Sequence, residues 1–142
     1  MTVLADLLVA EAGDIPSITA SEYPLGEFKG VNVDGLDPLT LAALHADLSG
    51  EVFETLLQKF HPVAEASPHG PWLIQFPPDF VSRLAEFSPP DFPKLAQRWL
   101  ATTQVGEAGW LQDVAERFVG QVVYFAQNAS FEGKELFLWV YS

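Results

Sequence analysis

His61, Glu65 and His69 stand four residues apart, a spacing at which two imidazoles and a carboxylate would share one helical face and could hold a metal ion. Pro62, Pro68 and Gly70 interrupt the stretch, so ordinary loop histidines are the competing reading. A second oxygen-rich group, Asn32, Asp34 and Asp37 around Gly35, has the ligand density of a hard-cation loop. A twelve-residue calcium loop opened at Asn32 would need a glutamate where Ala43 stands, and Asp34 and Asp37 are better read as a turn former and a helix cap. The third histidine, His45, follows the Leu41 and Leu44 stripe and is expected to pack at a helix edge. No phosphate-cradling glycine loop, nucleophile elbow, HExxH helix or dinucleotide fingerprint occurs, so no catalytic residue is singled out and no cofactor is expected. The absence of cysteine excludes thiolate metal sites, cysteine nucleophiles and a disulfide framework.

Charge is the next source of chemistry. The 142 residues carry 19 acidic and seven basic side chains, a net charge of −12, and 11 of the acids fall in residues 1–70 beside only Lys29 and Lys59. Phosphate backbones are bound by dense lysine and arginine patches, so nucleic acid is not an expected ligand. An acidic face built from Glu11, Asp14, Glu22, Glu27, Asp34 and Asp47 would instead suit a basic protein partner, although such a surface can equally serve only solubility. Among the large aromatics, Trp99 is expected in the core. Trp72, Phe137, Trp139 and Tyr141 are candidates for a ligand-facing surface or a homodimer contact.

These residues need elements to hold them. Hydrophobic residues make up 49% of the chain, well above the range in which high net charge prevents folding, and the length fits one domain over residues 1–142. Alternation or continuous apolar character predicts strands near 3–9, 29–34, 72–76 and 135–141, with residues 62–71 as a loop. Helices are expected near 38–48, 51–60, 79–87, 91–103 and 110–129. The first opens on an Asp37-Pro38 cap, and two others follow a PPDF tetrapeptide that occurs at 77–80 and again at 89–92. Both faces of 135–141 are apolar, so that strand is either central and covered on two sides or exposed on one side for a partner. The predicted fold is α+β, a small mixed sheet packed by about five helices. No run approaches the roughly 20 apolar residues of a membrane span, and the first residues lack the features of a signal peptide, so a cytoplasmic protein without membrane association is expected.

The segments VNVDGLDPLTLAALHADLSG, GPWLIQFPPDFVSRLAEF, RWLATTQ and GKELFLWVYS, about half of the chain, resemble a group of small, acidic bacterial proteins to which no activity is assigned. That resemblance implies a bacterial origin and a compact α+β fold, and it carries no site residues. The sequence therefore leads to a non-catalytic protein-binding domain, regulatory or immunity-like, with an acidic surface. The alternative is a small hydrolase-like or metal-dependent enzyme using His61, Glu65 and His69.

Overall fold

The computed structural model describes residues 3–141. Five strands, β1 (Leu4–Ala10), β2 (Lys29–Asn32), β3 (Pro62–Glu65), β4 (Trp72–Gln75) and β5 (Glu135–Tyr141), form one sheet in the order β2-β1-β5-β4-β3. Every neighbouring pair is antiparallel, so the sheet is not mixed. The helices are α1 (Ile15–Ala20), α2 (Pro38–Ser49), α3 (Phe53–Leu57), α4 (Pro78–Leu84), α5 (Phe92–Leu100), α6 (Thr103–Ala108) and α7 (Gln112–Glu132). The fold is α+β, with seven α-helices among the described residues where about five helices were expected.

β5 is the central strand and β1 its interior neighbour; they are the last and first strands of the chain, and their nearly continuous apolar sequences follow from cover on both faces. On one face Ala5, Leu7, Val9, Leu136, Leu138 and Val140 join the main core with residues of α2, α4, α5 and α7. On the other, Leu8, Ala10, Leu73 and Phe137 pack beneath Ile18 of α1, with Leu25 and Phe28 at the margin. Phe137 is therefore fully buried by the chain's own second layer, which corrects the expectation that it belongs to a dimer-forming surface.

Local chemistry explains the element boundaries. Asp37 caps α2 by accepting from the Thr40 backbone N–H at 2.8 Å, and Pro38 fills the first helical position where no donor is needed. The two PPDF segments both start helices, the second through a 3₁₀ turn in which the Asp91 carboxylate accepts from the Ser88 backbone N–H at 3.0 Å. The helix expected to run to 103 ends at Leu100, where Thr102 Oγ1 donates to the Trp99 carbonyl at 2.6 Å before α6 begins. The helix expected over 51–60 is one short α-helical segment continued by a 3₁₀ turn.

The expected loop at 62–71 contains β3, an exposed edge strand. Its proline is tolerated there because an edge strand leaves one row of N–H groups unpaired. Among the described residues no helix is long and apolar enough to cross a membrane.

Candidate functional site

The second layer of the sheet is short. It consists of α1 and the turns that follow, and beyond Ile18 it leaves part of the face open. Strand register places Asn32, Asp6, Trp139 and Leu73 in one row across β2, β1, β5 and β4, because directly opposed antiparallel residues project to the same face. Leu73 lies under cover with α1, but the Asn32, Asp6 and Trp139 part of the row lines a cleft of about 460 Å³. Tyr141, one step along the same face of β5, extends the lining, and its ring meets that of Trp139 with centroids 4.8 Å apart. Glu22, Tyr23 and Leu25 form the wall contributed by the second layer, and Pro71 closes the opposite side. Tyr23 is 66% exposed, and its ring lies close to Gly26, where an added β-carbon would come within 2.8 Å of Tyr23 Cδ2.

Asp6 is the unusual member. It is 3% exposed and interrupts an otherwise apolar central strand. Asn32 Nδ2 donates to Asp6 Oδ1 at 3.0 Å and, from the same amide, to Asp34 Oδ1 at 3.0 Å. Asp34 also accepts from the Ala5 backbone N–H at 2.8 Å, so it is fixed beside Asp6. Burial raises the Asp6 carboxyl above its ordinary value; the Asn32 hydrogen bond opposes the shift and the Asp34 charge adds to it. The Tyr141 hydroxyl is also raised, by burial and then by the charges of Asp6 and Asp34.

The linkage has a definite sign. A carboxyl raised in the folded state contributes stability below its ordinary value and loses that contribution as pH rises through the raised one. The charged form of Asp6 is therefore the one that burial disfavours. Among the described residues no basic side chain lines the cleft. Lys29, on the neighbouring strand, is opposed to Val9 on the other face and reaches Asn128 Oδ1 at 2.7 Å and Glu132 Oε2 at 3.1 Å. The result is a desolvated carboxylate among aromatic rings with a second acid at the rim, an arrangement suited to a cation.

The six acids expected on one face separate into different environments. Glu11 and Asp14 form an exposed 3₁₀ turn in which the Asp14 carboxylate accepts from the Glu11 N–H, and Glu27 is exposed before β2. Glu22 lines the cleft, and Asp34 lies behind it as a hydrogen-bonded clamp. Asp47 belongs to α2 in the helical layer across the sheet, where it pairs with Arg98 at 2.9 Å. The expected single acidic face is thus corrected to a small group near the cleft plus separate acids.

Trp72 and Trp139 lie on neighbouring strands but on opposite faces, since Trp72 is opposed to Val140 and Leu73 to Trp139. Trp72 lines a separate apolar hollow of about 340 Å³ with Phe60 and Pro38. The metal candidates are also dispersed. His61 precedes β3, Glu65 ends it and His69 lies in the hairpin turn, all exposed on extended or turn backbone instead of a helix. Among the described residues no group of three or more histidine, aspartate or glutamate side chains could hold a metal ion.

His45 is 2% exposed in the helical layer, stacked on Phe80 with centroids 4.6 Å apart. Among the described residues neither ring nitrogen has a hydrogen-bond partner, and Nε2 lies 3.7 Å from Asp79 Oδ2. Burial lowers its pKa; the charges of Asp79 and Glu51 oppose that shift and Lys59 reinforces it. A histidine lowered in the folded state contributes full stability above its ordinary value of 6.5, and the contribution is lost as pH falls below it. Denaturant unfolding at pH 7.5 and pH 5 is expected to show a larger loss on acidification for the wild type than for His45→Leu. Equal losses in the two proteins would refute this role.

Asp6 and Tyr23 were not singled out by sequence spacing. The available signal was a lone carboxylate inside the apolar run LADLLVA, which marks either an error of strand assignment or a functional charge. No family model matches the chain, and no curated protein matches it significantly. Among solved structures, the chain is similar to a protein of unknown function, YfbM, from Escherichia coli, at 12% identity and a TM-score of 0.49, over 96% of this chain and 99% of that one.

Proposed function

We propose that this protein is a non-catalytic binding protein whose cleft receives a positively charged group of a basic protein partner. The observation that carries the reading is the Asp6 carboxylate, held at the floor of an aromatic-lined cleft where no basic side chain of the described residues accompanies it. Burial disfavours the charged form of this carboxyl, and an incoming cation would repay its desolvation. Trp139 and Tyr141 offer ring faces to the same cation, and the net charge of −12 favours encounter with a basic partner. None of the three histidines lines the cleft, which leaves it without an imidazole base.

The test is a titration of the ¹⁵N-labelled protein with a ten-residue oligolysine. Shifts are expected to concentrate at the Trp139 indole N–H and the Asp6 amide, and to weaken as salt rises. Asp6→Asn retains a side chain that can accept from Asn32 while removing the charge. It is expected to fold with undiminished stability and to weaken binding about tenfold or more. Perturbations spread evenly over the acidic surface, or unchanged affinity in Asp6→Asn, would overturn the proposal.

A further inference from the structure

The shape of the cleft and the state of its carboxylate narrow the kind of cation. Guanidinium is held best by a fork of two parallel bonds to both oxygens of a carboxylate, whereas an ammonium is a point charge that one oxygen can serve. At Asp6, Oδ1 already accepts from Asn32, and among the described residues no side-chain or backbone donor reaches Oδ2. The carboxylate is also at the floor of a cleft whose lining includes Trp139, Leu25 and Pro71, which offer apolar surface to a methylene stem.

We propose that the group accepted here is an alkylammonium side chain, lysine or an N-methylated lysine, in preference to a guanidinium, an inference that rests on the cation-binding reading above. The free oxygen of Asp6 meets the ammonium, Trp139 and Tyr141 face its polarised methylene or methyl groups, and Glu22 adds charge at the mouth. Asn32 is a positioning residue. By occupying Oδ1 it disfavours the fork geometry, so its effect is on the choice between cations.

Three capped pentapeptides, identical except for a central lysine, N-trimethyllysine or arginine, are titrated into the full chain with the Trp139 indole N–H as readout. The lysine and trimethyllysine peptides are expected to bind about threefold or more tightly than the arginine peptide. In Asn32→Ala, which frees both Asp6 oxygens, the ratio is expected to move towards one through a gain by arginine. Arginine equal to or tighter than lysine in the wild type overturns the ammonium preference while leaving the cation site standing. Failure of all three peptides to perturb Trp139 overturns both. If Asn32→Ala does not fold, the wild-type ratio still decides the preference.

Discussion

Trp99→Ala is expected to lower the unfolding free energy by about 3–5 kcal/mol, the range for truncating a large aromatic in a closed core. Trp99 is fully buried on α5, and its indole N–H donates to the Thr40 carbonyl of α2 at 2.7 Å. Its ring also meets Trp110 edge-on with centroids 4.9 Å apart, and Trp110 in turn packs on Phe118 of α7. One side chain therefore joins α2, α5 and α7, and its removal leaves both a cavity and a buried carbonyl without its donor. Natural domains retain only about 5–15 kcal/mol in total, so the loss takes a large share of it. Trp99→Phe separates the two effects: it keeps most of the ring, loses the hydrogen bond, and is expected to cost about 1–3 kcal/mol. Denaturant midpoints measure both, and a loss under about 1 kcal/mol for Trp99→Ala would show that the helices do not depend on this contact.

What could be read from the sequence depended on whether local chemistry decided the outcome. The start of α2 was legible because Asp37 and Pro38 act within four residues, and β5 because seven consecutive residues agree. The strand at 62–65 was not, since a short edge strand with exposed polar positions has no buried face to impose a pattern. The break between α5 and α6 turns on a single hydroxyl of Thr102, which ordinary helix propensity does not reveal. The indoles of Trp72 and Trp139 could be assigned to neighbouring strands, but a one-residue difference in register decides that they face opposite ways.

The site was harder for the same reason. Charge counting drew attention to the most exposed acids, whereas the acid best placed to bind a cation is the most buried one and lies in the strand that looked purely structural. Trp139 lies more than a hundred residues along the chain from Asp6 and Asn32 and meets them only because the first and last strands are neighbours in the sheet. No spacing rule carries that information. The helical reading of His61, Glu65 and His69 failed in the opposite way: the spacing was suggestive, but the backbone there is a hairpin.

Gly30→Ala is expected to damage the fold and the cleft together. Gly30 is opposed to Leu8 across the β1–β2 pair, and a β-carbon at that position would overlap the carbonyl oxygen of Leu7. It would also lie 3.0 Å from Leu8 Cδ2 and 3.1 Å from Leu25 Cδ2. The two leucine side chains can move slightly, but the Leu7 carbonyl belongs to the backbone of the interior strand β1, which is paired on both sides and cannot readily shift. The edge strand β2 must yield instead, at a cost of about 1–3 kcal/mol for overpacking.

Its movement displaces Leu25 from the cleft wall, which takes apolar cover from the guest, and carries Asn32, two residues on, away from Asp6, which loosens the choice between cations. A lowered denaturant midpoint together with weakened lysine-peptide binding is the expected pair of results. Gly26→Ala provides the contrast, because the atoms it would meet belong to the largely exposed ring of Tyr23, which has room to swing aside. Wild-type stability and affinity in Gly30→Ala would mean that β2 does not hold Asn32 in place, and the positioning of Asp6 would need another cause.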